Sequence, residues 1–199
     1  MTLLGLILAF ALGGIPFSHL IGRLRGIDLR SVGSGNVGAT NLARAAGYGA
    51  GALGLVLDAA KGAAAVLVVR GLLGDGATPA NQALAAALAV AGHAFTPWLR
   101  FRGGKGVATG AGAFAVLAPP ATLCALVIFA VVVAVGRMIS LASVIAALAL
   151  PVAAHLLGAP RPVTLAAAAV AALVLLRHRD NLVRMVRGTE HRLGARGGE

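Results

Sequence analysis

Residues 106–135 read GVATGAGAFAVLAPPATLCALVIFAVVVAV, and how this stretch divides decides the fold. It carries no charge, so it belongs in hydrocarbon, yet it exceeds the roughly 20 residues that one spanning helix needs. Pro119-Pro120 sits near its middle, and proline interrupts a helix because it lacks an N–H and clashes with the preceding turn. The stretch therefore reads as two short helices, 106–118 and 121–135. Five further apolar runs, at roughly 3–22, 51–74, 81–99, 138–157 and 162–177, bring the count to seven segments.

Composition agrees with that division. Of 199 residues, 59% are hydrophobic and only 12% charged, where soluble domains run nearer a quarter charged. No internal period of repeat length stands out. The expectation is a single all-α domain over 1–199, a polytopic membrane helical bundle with 178–199 as a short basic cytoplasmic tail. Cys124 is the only cysteine and lies in an apolar run, which rules out a disulfide framework and a thiolate metal cluster.

The formal net charge of +11 would suggest nucleic acid in a soluble protein. Here the basic residues fall between apolar runs, and aromatics, at 4%, are too sparse for base-stacking platforms. No nucleic-acid partner is expected. Cytoplasmic loops of membrane proteins collect Lys and Arg. With the N-terminus outside and seven crossings, the inner side receives Arg23, Arg25, Arg30, Arg44, Arg100, Arg102, Lys105, Arg137 and the tail arginines 177, 179, 184, 187, 192 and 196, which is 14 of the 17 Lys and Arg. The C-terminus is then cytoplasmic. The first run is not read as a signal peptide, because its arginines follow it rather than precede it.

Three inner segments carry chemistry. The first is Ser31-Val32-Gly33-Ser34-Gly35-Asn36-Val37-Gly38-Ala39-Thr40-Asn41, followed by Arg44. Glycines at 33, 35 and 38 permit positive φ and close approach of backbone to ligand, and successive N–H groups form an anion-binding concavity. Ser34, Asn36, Thr40 and Asn41 add donors, and Arg44 adds a charged fork. A plain flexible linker would need only Gly and Ser. The second segment, Gly92-His93 through Gly103-Gly104-Lys105-Gly106, sets an ammonium beside a helix N-terminus, a natural anion site. It is not a Walker A loop, since no Ser or Thr follows Lys105. The third is His178-Arg179-Asp180-Asn181, with His178 and Asn181 three apart at the membrane surface. Arg184, Arg192 and Arg196 are expected to meet anionic lipid.

Within the apolar runs, Asp58 and Lys61 stand at i and i+3. They suit either a proton or ion path or, preferably, a self-neutralising structural pair. Ser140 and Ser143 open the sixth segment, with Ser140 close enough to the surface to reach a ligand. His19 and His155 read as packing residues. Residue chemistry alone thus reaches a membrane protein binding a phosphate-bearing solute from the cytoplasm, either an enzyme or a small transporter of an anionic solute.

The motifs resemble one family closely. Ser34-Gly35-Asn36-x-Gly38-Ala39-Thr40-Asn41-x-x-Arg44, Asp58-x-x-Lys61-Gly62, Gly92-His93 through Gly103-Gly104-Lys105-Gly106-Val107-Ala108-Thr109, and His178-Arg179-Asp180-Asn181 with Gly188-Thr189-Glu190 look like those of the bacterial acyl-phosphate:glycerol-3-phosphate acyltransferases. The resemblance runs from about residue 5 to 193. Val37 stands where the family often has Pro, and Thr96-Pro97 shifts the usual Pro by one.

The resemblance implies acyl transfer from acyl phosphate to the 1-hydroxyl of glycerol 3-phosphate, giving 1-acyl-glycerol 3-phosphate and phosphate, with no metal or organic cofactor. It implies Ser34, Arg44, Lys105, Ser140, His178 and Asn181 as catalytic residues, and Gly35, Asn36, Gly38, Thr40, Asn41, His93, Gly103, Gly104, Gly106 and Ser143 as substrate-binding residues. It further implies a multi-pass protein of the bacterial inner membrane with a cytoplasm-facing site, in contact with membrane lipid and taken as a monomer. No histidine is followed five residues later by aspartate, so the His-x-x-x-x-Asp dyad of other acyltransferases is absent. The hydroxyl proton then goes either to His178 or, preferably, to a substrate phosphate.

Overall fold

The structure, a computed structural model, describes residues 1–194, and all regular elements among these are helical. They are α1 (Thr2–Gly14), α2 (Phe17–Leu24), α3 (Ala39–Ala46), α4 (Tyr48–Leu73), α5 (Pro79–Ala94), α6 (Val107–Leu117), α7 (Pro119–Gly136), α8 (Ile139–Leu156), α9 (Arg161–Arg177) and α10 (Arg179–Val186), with 3₁₀ turns at Gly74–Gly76 and Pro97–Leu99. Arg196 lies outside the described residues.

Helices occupy all seven apolar runs, with three departures. Pro16 breaks the first run into α1 and α2. The third ends at Ala94 rather than 99, because Pro97 opens a 3₁₀ turn. Pro119-Pro120 do more than separate α6 from α7. Pro119 takes the first helical position of α7, where a missing N–H is harmless and a fixed φ helps. Four helical units are long and apolar enough to cross a membrane: Thr2–Leu24, Tyr48–Gly76, Pro119–Gly136 and Ile139–Leu156. Arg161–Arg177 with Arg179–Val186, bent by 59°, makes a fifth if taken as one. The 11 residues of α6 reach only about 16 Å at 1.5 Å per residue, about half of a hydrocarbon core near 30 Å.

Small residues let the helices meet. At the α1–α5 crossing a Cβ on Gly13 would land on the Ala89 backbone, and one on Gly92 would land on the Phe10 carbonyl. The α4–α6 crossing repeats the device reciprocally, with Gly62 against Thr109 and Gly112 against Ala59. In lipid, where tails are as apolar as leucine, such close packing is a main source of helix association. Phe114, Val66, Val90, Val170 and Val174 fill the interior, while Leu53, Val56, Leu123, Val127, Val131 and Leu148 face outward.

Broken helices leave carbonyls that hydrocarbon cannot solvate, and these need partners. The Thr96 hydroxyl donates to the Gly14 carbonyl at 2.6 Å, and the Lys61 ammonium donates to that of Ile15. Lys61 also pairs with Asp58 at 2.8 Å, and Asp58 accepts from Ser18 of α2 at 2.8 Å. The i,i+3 pair thus braces the break at Pro16, the structural role preferred from the sequence.

Candidate functional site

Four loops gather at one end of the bundle. In the first, Gly33 and Gly35 take φ +56° and +68°, which a Cβ would strain, whereas Gly38 sits at −93°. Gly38 precedes α3 directly and donates its N–H to Asn36 Oδ1 at 3.0 Å, and a Cβ there would crowd that same oxygen. Asn41 is fully buried, and its bonds all go to backbone. It accepts from Ser34 N and donates to the Leu29 and Val32 carbonyls, each at 3.0 Å. It holds the loop's shape rather than offering donors, and the Ser34 N–H is already engaged. The expected concavity of free backbone donors is thus partly filled from within.

The loop 103–106 turns back against the end of α5. Gly103 N donates to the Ala94 carbonyl and Gly104 N to that of His93, both at 3.1 Å. Gly106, at φ +83°, closes the turn and caps α6, whose first residues, Val107 and Ala108, line the cavity. The Lys105 ammonium donates to Asn181 Oδ1. Burial lowers this lysine to about 8; Arg184, Arg44 and Arg177 push the same way, and Glu190 opposes them.

The 59° bend between α9 and α10 turns His178 and Asn181 inward. His178 Nδ1 meets the Val174 carbonyl at 2.8 Å. A carbonyl only accepts, so Nδ1 carries the proton and the neutral ring presents an Nε2 lone pair. Burial first, and Lys105 next, lower His178 to about 4. It is neutral near pH 7, and its Nε2 is available to accept.

Glu190 is the residue that sequence reasoning quoted but did not place in the site. After α10 the chain doubles back, and this carboxylate accepts from Ser140 at 2.8 Å, Asn181 at 2.7 Å and Arg184 at 2.8 Å. Burial alone would raise its pKa, but those three hydrogen bonds and the Arg184 charge outweigh it and hold the group ionised. Arg184 thus pairs with Glu190 through its Nε, a partner that the sequence reading did not give it. Ser143 donates to Ile139 O at 2.8 Å within its own helix. His93 lies 3.7 Å from Asp58, beyond a hydrogen bond.

These groups line one cavity of about 220 Å³. Its walls include all six expected catalytic residues, Ser34, Arg44, Lys105, Ser140, His178 and Asn181. Asn36, Gly38, Thr40, Asn41, His93, Gly106 and Ser143 line it too, while Gly35, Gly103 and Gly104 do not. A second, apolar cavity of about 60 Å³ lies between α6, α7, α8 and α9 and shares Gly106, Val107, Ala111, Leu126 and Phe129 with the first.

A cation-bearing cavity adjoining an apolar one, inside a bundle of membrane helices, fits a membrane-integral protein that takes an anionic ligand with an apolar tail. The family model described as glycerol-3-phosphate acyltransferase matches residues 3–188. Glycerol-3-phosphate acyltransferases of Rubrobacter xylanophilus and a Jannaschia species are 46% and 49% identical, covering 96% of this chain in each case and 95% and 94% of those proteins. The crystal structure of PlsY, an integral membrane glycerol 3-phosphate acyltransferase, superposes in its glycerol 3-phosphate form with a TM-score of 0.91 at 36% identity, covering 97% of this chain and 96% of that one. Its lysophosphatidic acid form gives 0.89 at 35% identity, covering 97% and 95%. The chain belongs to the glycerol-3-phosphate acyltransferase family and is an acyltransferase.

Proposed function

We propose that this chain transfers a fatty acyl group from acyl phosphate to the 1-hydroxyl of sn-glycerol 3-phosphate, releasing lysophosphatidic acid and inorganic phosphate. Acceptor and product correspond to the two forms in which the solved relative is described. The observation that carries the reading is the convergence of Lys105, Arg44, Ser34 and the α6 N-terminus on one cavity that continues into an apolar one. The cations and N–H donors offset the repulsion between two phosphorylated substrates, and the acyl chain takes the apolar cavity.

In the step itself the glycerol hydroxyl oxygen bonds to the acyl carbon, and the bond from that carbon to the phosphate oxygen breaks, the electron pair leaving with phosphate. Acyl phosphate is already activated, so no acyl-enzyme is needed. Ser34, its neighbouring backbone and Arg44 hold one phosphate, while Lys105, Ser140, His178 and Asn181 line the rest. His178 Nε2 accepts a hydrogen bond from the attacking hydroxyl and so aims it. At about 4 the imidazole is a weak final proton acceptor, whereas a phosphate monoester titrates near 6. The proton therefore passes to a substrate phosphate.

The same reading takes 1–199 as one catalytic domain, monomeric, in a bacterial inner membrane. Seven segments put the N-terminus outside and the site and tail in the cytoplasm, with short α6 entering from the cytoplasmic side. Purified protein given both substrates should release phosphate only when both are present. Release without glycerol 3-phosphate, or solute flux in liposomes without acyl transfer, would overturn the assignment in favour of hydrolysis or transport. His178→Gln keeps a polar contact but removes the imidazole. Turnover within about tenfold of the parent is expected, and a loss in the 10²–10⁴ range of general acid–base catalysis would make His178 the base.

A further inference from the structure

Arg177, counted from the sequence only as a topology charge, makes a contact that the acyl-transfer scheme does not use. Its Nη2 donates to the Gly103 carbonyl at 2.7 Å and its Nε to the Gly104 carbonyl at 3.1 Å. The guanidinium also lies 5.7 Å from the centre of the Phe95 ring. Gly103 and Gly104 meanwhile give their N–H groups to the Ala94 and His93 carbonyls. Every backbone polar group of these two glycines is thus satisfied, from α5 on one side and from α9 on the other. The packing there is close. A Cβ on Gly103 would strike the His93 carbonyl, and one on Gly104 the His93 ring.

The loop held this way ends in Lys105, and Arg177 immediately precedes His178, so one side chain spans the two segments that must face a common substrate. Lys105 sits on a glycine-rich turn, the backbone that loses most conformational freedom on ordering, and a point charge on a flexible stem is only as well placed as its base. A planar fork reaching two successive carbonyls fixes both position and orientation, which lysine at the same place could not do. We infer that Arg177 is a positioning residue for the acyl transfer: it clamps the Gly103-Gly104 turn so that Lys105 faces the cavity. Arg177 itself lines neither cavity.

This inference rests on Lys105 being an anion contact, and the test separates the two. Arg177→Gln, Arg177→Lys, Lys105→Ala and the double variant Arg177→Gln/Lys105→Ala are compared in kcat/KM for both substrates, alongside unliganded thermal stability and its increase with saturating inorganic phosphate. Arg177→Gln should lose at least tenfold in kcat/KM and most of the phosphate-induced stabilisation, while remaining folded. Arg177→Lys, with a single donor head, should recover little. In the Lys105→Ala background the Arg177 change should add less than twofold, because the clamp acts through that lysine. Wild-type kcat/KM in Arg177→Gln, or a full repeat of its loss on top of Lys105→Ala in both readouts, overturns the inference. A Lys105→Ala variant of undiminished activity instead overturns the anion-contact reading beneath it. Phosphate stabilisation needs no turnover, so the cycle is readable even where the lysine variant is nearly inactive.

Discussion

At the residue scale, the site sets opposite demands on its cations. On the proposed reading Lys105 must be charged to hold phosphate, yet burial and the neighbouring Arg184, Arg44 and Arg177 lower it to about 8, with Glu190 opposing. Free enzyme governs kcat/KM, so kcat/KM should fall as pH rises past about 8, when the ammonium loses its proton. A bound phosphate favours the charged form, and kcat should therefore hold to higher pH. Lys105→Arg, which stays charged, should abolish the limb if it folds; a limb surviving in that variant would place the titration elsewhere. Asp58 and Lys61 pose the other residue-scale problem, since both are buried and paired at 2.8 Å. Removing one partner of a buried pair strands the other charge and costs about 3–5 kcal/mol. Asp58→Asn should lower thermal stability in detergent by that order, and the double variant Asp58→Asn/Lys61→Met should recover part of it. A double variant less stable than either single would contradict the bracing role.

At the element scale, the helices are arranged by what is missing from their surfaces. Gly112 on α6 meets the Ala59 backbone of α4 with no room for a Cβ, while Gly71, also on α4, has open space around it. Gly112→Val should therefore destabilise by about 1–3 kcal/mol or more through overpacking. Gly71→Ala should be neutral or slightly stabilising, because alanine is the better helix former. Equal effects in thermal unfolding would show that helix propensity, not the crossing, decides. The same logic explains why α6 can be short. It packs mainly against α4 and α5, burying Thr109, Gly110, Gly112, Ala113 and Phe114, so packing rather than hydrocarbon thickness sets its length. Periodicity could not show this, because a run of Gly and Ala looks alike whether it spans or merely fills.

At the scale of the whole molecule, the loops bearing Ser34, Lys105, Ser140 and His178 meet at one end, and Leu193 N donates to the Arg137 carbonyl at 2.7 Å to tie the returning chain there. That arrangement predicts sidedness. In a Cys124→Ala background, single cysteines at Ser31 and Arg137 should react with a membrane-impermeant maleimide only from the cytoplasmic side. Cysteines at Asp75 and Pro160 should react only from outside. Labelling of Ser31 and Arg137 from opposite faces would break the seven-segment topology. The six residues expected to be catalytic all line the one cavity, and each stood out in the sequence because it sits in a short polar run between apolar ones. Asn41 and Gly104 were legible as important but not in role, because a donor aimed at ligand and one aimed at backbone look the same in one dimension.

The apolar runs, their prolines and the placing of Lys and Arg by themselves determined that this is a helical membrane protein, because hydrocarbon thickness and the cost of burying charge act on composition alone. Pro119-Pro120 divided 106–135 where the helices do part, since proline's effect on a helix is local. What only the tertiary structure decided is which polar groups remain available. Asn41 is used up by its own loop, Arg184 is paired with Glu190 and Arg177 with two glycine carbonyls, whereas His178 keeps an open nitrogen. Hydrogen-bond partnership depends on distance and direction between segments far apart in the chain, and no local pattern encodes it.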